Sequence, residues 1–208
     1  MNFEQVRWAL ERYVTPRAGA AVLVPLVSGE DGLEVILEVR ALTLSVQPGD
    51  VCLPGGGIEV DESPLDAAIR ETCEELCVRP SQIDVLGSLG TFDGPGGRQL
   101  HAFVAKLAGY QDTYSPDEVE RIFKLPLTWL IEHDPAVYQV SYAPQYPDDY
   151  PWELVPGGRG YRWRTRTNEV PFYRGTEPLV WGATARVLRR FAEVLRKRSG
   201  AHHTMMES

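Results

Sequence analysis

Residues 54 to 76 read PGGGIEVDESPLDAAIRETCEEL, a run in which bare glycines precede a helix-forming segment dense in carboxylates. Ser63, Pro64, Leu65 and Asp66 offer a hydroxyl at the cap position and a proline in the first turn, so the spacing predicts a helix from Ser63 to about Leu76. At about 100° per residue, Glu71, Glu74 and Glu75 fall within an arc of roughly 100°. Leu65, Ile69, Thr72, Cys73 and Leu76 make up the opposing apolar stripe. Within this helix no Lys or Arg follows any of the three glutamates at i+4, so the like charges would repel without compensation. A hard divalent cation resolves that conflict, because Mg²⁺ and Mn²⁺ take carboxylate oxygens and bridge to substrate phosphates. Gly55, Gly56 and Gly57 form a loop whose backbone can approach the same place.

The whole chain sets bounds on this reading. Its 208 residues suit a single domain, placed here at 1–198, with a disordered tail at 199–208. The net charge of -8 argues against nucleic acid, which calls for a Lys/Arg surplus, and leaves room for a small phosphorylated substrate if cations are bound. No apolar run is long enough to suggest a membrane span, and MNFEQVRWALERYV lacks the pattern of a secretory signal, so a cytoplasmic protein is expected. Cys52, Cys73 and Cys77 are odd in number and form no CxxC pair, so they read as reduced core or near-core residues.

Around the acidic segment the pattern alternates strands and helices, which predicts one α/β or α+β domain. An amphipathic helix is expected at 3–14. AAVLVPLV (20–27) and LEVILEVR (33–40) read as a hairpin, with Pro25 weakening the first strand or placing it at an edge. DVCLP (50–54), IDVLGSLGTF (83–92), QLHAFVAKL (99–107) and VYQVSYA (137–143) are further strands. SPDEVERIF (115–123) looks like a capped helix, LTWLIEHD continues the helical tendency, and VWGATARVLRRFAEVLRKR (180–198) is the strongest helix of the sequence. Residues 144–160, rich in Pro, Asp, Tyr and Gly, read as a long surface excursion.

From Gly56 to Val78 the chain resembles the Nudix box: Gly, five residues, Glu, seven residues, Arg-Glu, an apolar position, one residue, Glu-Glu, one residue, Gly, an apolar position. Gly56, Glu62, Arg70, Glu71, Glu74, Glu75 and Val78 fall on that pattern, while Thr72 replaces an apolar residue and Cys77 the last glycine. The resemblance implies a Nudix fold, an α/β/α sandwich around a mixed β-sheet, and a pyrophosphohydrolase. It further implies that Glu71, Glu74 and Glu75, with the backbone of Gly55, bind Mg²⁺ or Mn²⁺, and that Arg70 and Glu62 pair to hold the glycine loop against the helix. Glu118 stands where relatives supply a further carboxylate. Glu71, Glu74 and Glu118 are thus the candidate catalytic residues, with Glu74 or Glu118 as the base.

Upstream, VILEVRALTLSVQPGDVCLPGG resembles the signature of the coenzyme A pyrophosphatase branch. Arg40, Ala41, Leu44, Gly49, Val51, Pro54, Gly55 and Gly56 match it; Ser45, Gln47 and Leu53 stand where that branch has Arg, His and Phe. The implied substrate is coenzyme A or an acyl form, held by Arg40, Gln47, Gly55 and Gly56, with a homodimer left open. The departures at Ser45, Gln47 and Leu53 favour the rival reading, another nucleoside diphosphate derivative. A ligand-binding module without catalysis is the second rival, against which the complete set of box carboxylates speaks. Trp181 reads as a core anchor for the last helix, and Tyr146, Tyr150, Trp152 and Tyr161 as either pocket walls or the packing of their own loop.

Overall fold

The computed structural model describes residues 19–94, 97–163 and 166–206; the helix expected at 3–14 lies outside them. Strands β1 (Gly19–Gly29) and β2 (Gly32–Arg40) form the expected antiparallel hairpin, with Leu26 opposite Val35 and Gly29 opposite Gly32. Beyond Leu26 and Val35 the two strands part. Into the gap enter β3 (Val51–Cys52), which pairs with β2, and β4 (Gly55–Gly57), which pairs with Ala20, Ala21 and Val22 of β1. The triple glycine is therefore a strand where the sequence predicts a loop.

β1 lies inside the sheet, with β6 (Gln99–Leu107) parallel along its other edge, so the edge placement expected from Pro25 is wrong. The reason is the fork. The Leu23 N–H donates to the Pro54 carbonyl at 2.9 Å on the side of the gap. Two residues on, the Pro25 nitrogen faces that same side where β2 and β4 diverge, and a missing N–H costs nothing there. β5 (Ile83–Asp93) then pairs antiparallel with β6, and β7 (Val119–Pro126) pairs antiparallel with β2. Both parallel and antiparallel neighbours make this seven-stranded sheet mixed.

Alternation along the strands gives the sheet two apolar faces. Val24, Leu26, Val35, Leu37, Leu100, Ala102 and Val104 face one core, which helices α2 (Leu127–Glu132) and α3 (Gly182–Met206) complete through Leu130, Ala185, Leu188 and Phe191. Val27, Ile36 and Leu107 face the other, closed by Leu76 and Val78, while Ala21 packs on Ala67 and Ala68 of helix α1 (Pro64–Glu75). Helices on both faces of a mixed sheet are the sandwich expected from the sequence. A second, three-stranded sheet runs β10–β9–β8: β8 (Ala136–Tyr142), β9 (Arg166–Tyr173) and β10 (Val180–Trp181).

Three further expectations change. Ser115 to Glu118 make one turn only, in which the Ser115 carbonyl accepts from the N–H groups of Glu118 (3.2 Å) and Val119 (2.9 Å). The expected helix at 115–123 gives way to β7 because VERIFKLP supplies β-branched and apolar residues to the free edge of β2, and sheet pairing overrides the local capping signal. The helix expected from 180 starts at Gly182, whose φ of 64° breaks it from β10. It continues to Met206, past the expected end at 198 and into the expected tail, for beyond Arg198 only Gly200 weakens it and no proline interrupts it. Strand β9 was not anticipated; Pro171 and its polar residues hide it.

Candidate active site

Ser63 caps α1 by accepting the Asp66 N–H at 3.1 Å. At the other end the Leu76 N–H reaches the Thr72 carbonyl (3.0 Å) and the Val78 N–H the Cys73 carbonyl (3.2 Å). That closing pattern needs a left-handed residue between them, and Cys77 takes φ 52°, so the cysteine adopts the conformation that a glycine supplies at lower cost. The helix thus ends as the box pattern requires, and both Glu74 and Glu75 stay in its last turn.

The helix packs through Ala67, Ala68, Thr72 and Glu75, whereas Ile69 and Cys73 are only half-buried. Its buried arc is rotated by about 90° from the predicted apolar stripe, toward the carboxylates. The packing explains the rotation: Ala67 and Ala68 settle on Ala21 of β1, and the bare backbone of β4 beside it leaves room for the carboxyl groups of Glu71 and Glu75. A Cβ at Gly56 would collide with the carboxyl group of Glu71, and one at Gly55, where φ is 148°, with the Ala21 carbonyl. The Gly55 N–H donates to Glu75 Oε2 at 2.7 Å. Here glycine is required by close approach.

Arg70 organises the rim. Its guanidinium makes two bonds to Glu62 (2.9 and 3.0 Å), one to Glu71 (2.8 Å) and one to the Gly57 carbonyl (3.0 Å), and stands 3.5 Å from Glu74. Glu62 also accepts the Glu59 N–H at 3.0 Å, and its carboxyl is held below the usual range by Arg70 first. This ties the segment between β4 and α1 to the helix.

The other carboxylates are shifted the opposite way. Desolvation raises Glu75 to about 8, opposed by the Gly55 N–H and reinforced by Glu71 and Glu118; the side chain is 4% exposed. Desolvation also raises Glu71, against the pull of Arg70. Glu118, exposed at the end of its turn, faces both: the Ser115 N–H donates to the Glu75 carbonyl (2.7 Å) and the Ala41 N–H to the Glu118 carbonyl (2.9 Å). Four carboxylates from two segments more than forty residues apart in sequence therefore share one field. Among the described residues, no three His, Cys, Asp or Glu side chains are placed to hold a metal ion as they stand.

Sequence reasoning missed Glu38. It lies on β2 with its side chain 1% exposed, its Oε1 has no hydrogen-bond partner, and Cys52 Sγ approaches Oε2 at 3.8 Å. Burial, then the neighbouring Glu75, push its carboxyl well above the usual range. A charged residue inside VILEV, otherwise wholly apolar, was the available signal.

Beside Gly55 opens a cavity of about 370 Å³ that brings Arg40 and Gln47 together with Tyr142, Asn168, Trp181 and Arg186. Arg40 donates to the Val46 carbonyl at 3.3 Å, and Gln47 takes a left-handed φ of 51°. Gly56, by contrast, does not line it. Trp181 is 37% exposed and stacks on Phe172 rather than anchoring the core as expected. Tyr146 packs against Tyr150, Trp152 and Trp163, and Tyr161 against Trp163, so the aromatics of the long excursion form its own cluster.

Residues 17–149 match the NUDIX domain family model. Over 194 residues the chain is 37% identical to the "Uncharacterized Nudix hydrolase NudL" of Cronobacter sakazakii, and over 195 residues 30% identical to the protein of that name from Enterobacter sp. (strain 638). Each alignment spans 92% of this chain and 90% of the relative. Among solved structures, a MutT/nudix family protein from Enterococcus faecalis superimposes with a TM-score of 0.52 over 94% of this chain and 70% of its own, at 17% identity, which is likeness of fold. With the glycine strand, the capped acidic helix and the Arg70–Glu62 brace in place, this chain belongs to the Nudix hydrolase family.

Proposed function

We propose that the protein hydrolyses the diphosphate linkage of coenzyme A or an acyl-coenzyme A, giving 3′,5′-ADP and 4′-phosphopantetheine or its acyl form. Hydrolases of this family act on pyrophosphate-containing substrates and generally use divalent metal ions. The observation that carries the reading is adjacency at one glycine: the Gly55 N–H holds the Glu75 carboxyl group, and Gly55 also lines the cavity that contains the signature residues Arg40 and Gln47.

The donor set fits a divalent cation. Glu71, Glu74 and Glu75 offer hard oxygen ligands, and Glu71 and Glu75, raised first by burial and then by the neighbouring carboxylates, stand where a bound cation would offset both costs. Those three residues, with the backbone of Gly55, would hold Mg²⁺ or Mn²⁺, which when bound supplies phosphate polarisation and a more acidic water. Glu75 is buried and bonded to Gly55, which suits an anchoring ligand and not a proton carrier. Glu118 is exposed and faces the cluster from a separate segment, so it takes the proton of the attacking water. Arg70 keeps the glycine strand and helix in register, while Arg40 and Gln47 position the phosphates and Gly55 and Gly56 keep the approach clear of side chains. Residues 1–198 would act as one domain.

Purified protein with Mg²⁺, and separately Mn²⁺, should be offered coenzyme A, acetyl-coenzyme A, ADP-ribose, NADH and nucleoside triphosphates, with products followed by mass spectrometry. Release of 3′,5′-ADP well above any other product is expected, together with a fall of orders of magnitude in Glu71→Gln. Preference for another diphosphate would overturn the coenzyme A assignment alone.

A further inference from the structure

The cavity beside Gly55 reaches well past the residues that the family pattern covers. Its far wall comes from the three-stranded sheet and the start of α3. Asn168, Val170 and Phe172 alternate along β9 and share one face; Trp181 of β10 lies opposite Phe172, and Tyr142 of β8 opposite position 166. Phe172 stacks on one face of the indole, at 5.5 Å between centroids and 15° between planes, while Trp181 remains 37% exposed and lines the cavity. An aromatic surface and an amide thus share one face of a rigid sheet, with Val170 between their positions and about 13 Å of strand from 168 to 172.

The surrounding walls are fixed. Thr184 Oγ1 donates to the Val51 carbonyl at 3.0 Å, which binds the first turn of α3 to β3. Arg186 donates to the carbonyls of Asp93 and Glu169 (2.8 Å for the latter), joining β5 to β9 across the cavity. The floor is apolar, with Val22, Leu53 and Leu100 among its residues. Charge does not select the occupant, because the cations Arg40 and Arg186 are matched by Asp50 and Asp93 along the same lining.

A preformed hollow of this size, apolar below, aromatic on one side and amide-bearing beside it, fits a flat heterocycle with hydrogen-bonding edges. We infer that this cavity is the nucleobase subsite of the enzyme: the base lies against Trp181, Asn168 reads its edge, and the attached phosphates point past Arg40 to Gly55 and the acidic end of α1. This rests on the reading of the protein as a hydrolase of nucleoside diphosphate compounds, which it deepens by assigning the base-recognising residues. Stacking a base on an aromatic side chain changes affinity by roughly 5- to 150-fold.

The test is equilibrium binding, read independently of turnover. Calorimetry in Mg²⁺ would compare AMP, ribose 5-phosphate and 4′-phosphopantetheine on the full chain, on Trp181→Leu, on Trp181→Phe and on Asn168→Ala. The expected result is AMP affinity reduced at least tenfold in Trp181→Leu and Asn168→Ala, largely restored in Trp181→Phe, and unchanged weak binding of ribose 5-phosphate in all four. In turnover, Trp181→Leu should raise KM for the nucleotide substrate with kcat within about threefold, the split expected of a group that binds away from the reacting atoms. AMP binding that stays within twofold of the parent in both variants overturns the assignment. So does 4′-phosphopantetheine, rather than AMP, losing affinity. AMP binding that depends on Trp181 in a protein without hydrolytic activity supports the subsite and removes the catalytic reading instead.

Discussion

Replacing Glu75 by glutamine should make the metal-free protein more stable in alkali, because the native carboxyl is buried, and buried beside others that repel it. Its pKa is raised from the ordinary value of 4.5 to about 8, chiefly by burial, with Glu71 and Glu118 adding to the rise. The folded state therefore binds this proton more tightly than the unfolded chain. The stabilisation is complete below the unfolded value and is lost as pH climbs toward 8. At about 1.36 kcal/mol per pH unit, the loss is bounded near roughly 5 kcal/mol. Rotation of the chain toward water, and the weaker bond that an amide oxygen makes to the Gly55 N–H, bring the expected gain to about 2 kcal/mol. For a chain of this length that is roughly 4–8 °C in Tm. Thermal melts in EDTA between pH 4 and pH 9 would read it, with parent and Glu75→Gln equal at the acid end and the variant higher at the alkaline end. Excess Mg²⁺ should raise the parent at pH 9 more than the variant. A variant that melts at or below the parent at pH 9 in EDTA would refute the reasoning, since the buried charge would then be well accommodated without metal.

Three other substitutions probe separate parts of the frame. Cys77→Gly relieves a left-handed side chain at φ 52° and should stabilise by about 1 kcal/mol in urea unfolding; no gain would mean that the exposed thiol contributes packing. Gly55→Ala drives a methyl group into the Ala21 carbonyl at φ 148°, so the β1–β4 pairing should be lost, with a fall of at least about 2 kcal/mol and faster amide exchange at Ala21 and Leu23. An unchanged midpoint would refute the close approach. Glu38→Leu removes a buried, under-bonded carboxyl and should raise the alkaline Tm of the metal-free protein by several degrees, whereas a lower Tm would show that Glu38 is ionised and compensated.

The helix from Ser63 to Leu76 was legible because cap, proline and glutamate spacing are local signals, and its box residues converge as their spacing suggested. The β1–β2 hairpin was legible for the same reason. What escaped the sequence depends on partners distant along the chain. Pro25 reads as an edge residue until the fork between β2 and β4 gives its missing N–H a harmless place. Ser115 to Glu118 carry the chemistry of a helix start, and only the open edge of β2 turns the following residues into a strand. The rotation of α1 toward Glu75 follows from Ala21 and the bare backbone of β4, neither of which a helical wheel drawn on α1 alone contains. Glu38 escaped because β2 is apolar on both faces, so alternation does not distinguish inside from outside. The cavity joins residues near 40, 142, 168 and 181, and no short window contains it.

Because β4 is made of glycine alone, the distance between helix and sheet at this end is set by peptide planes and not by interlocking side chains. Elsewhere in the core a change of one methylene can be absorbed by a neighbour's change of rotamer. Here a Cβ on Gly55 would meet the Ala21 carbonyl and the Val22 Cα, backbone that has no rotamer to change. The carboxylates are aligned by a surface as stiff as the covalent backbone, and their spacing is insulated from the small repackings by which the rest of the core can drift. The same bareness makes Gly55 intolerant of gradual adjustment: the smallest available side chain is already a large step there, so a shift in the placement of Glu71 or Glu75 has to enter through the loop at 58–63 or through α1.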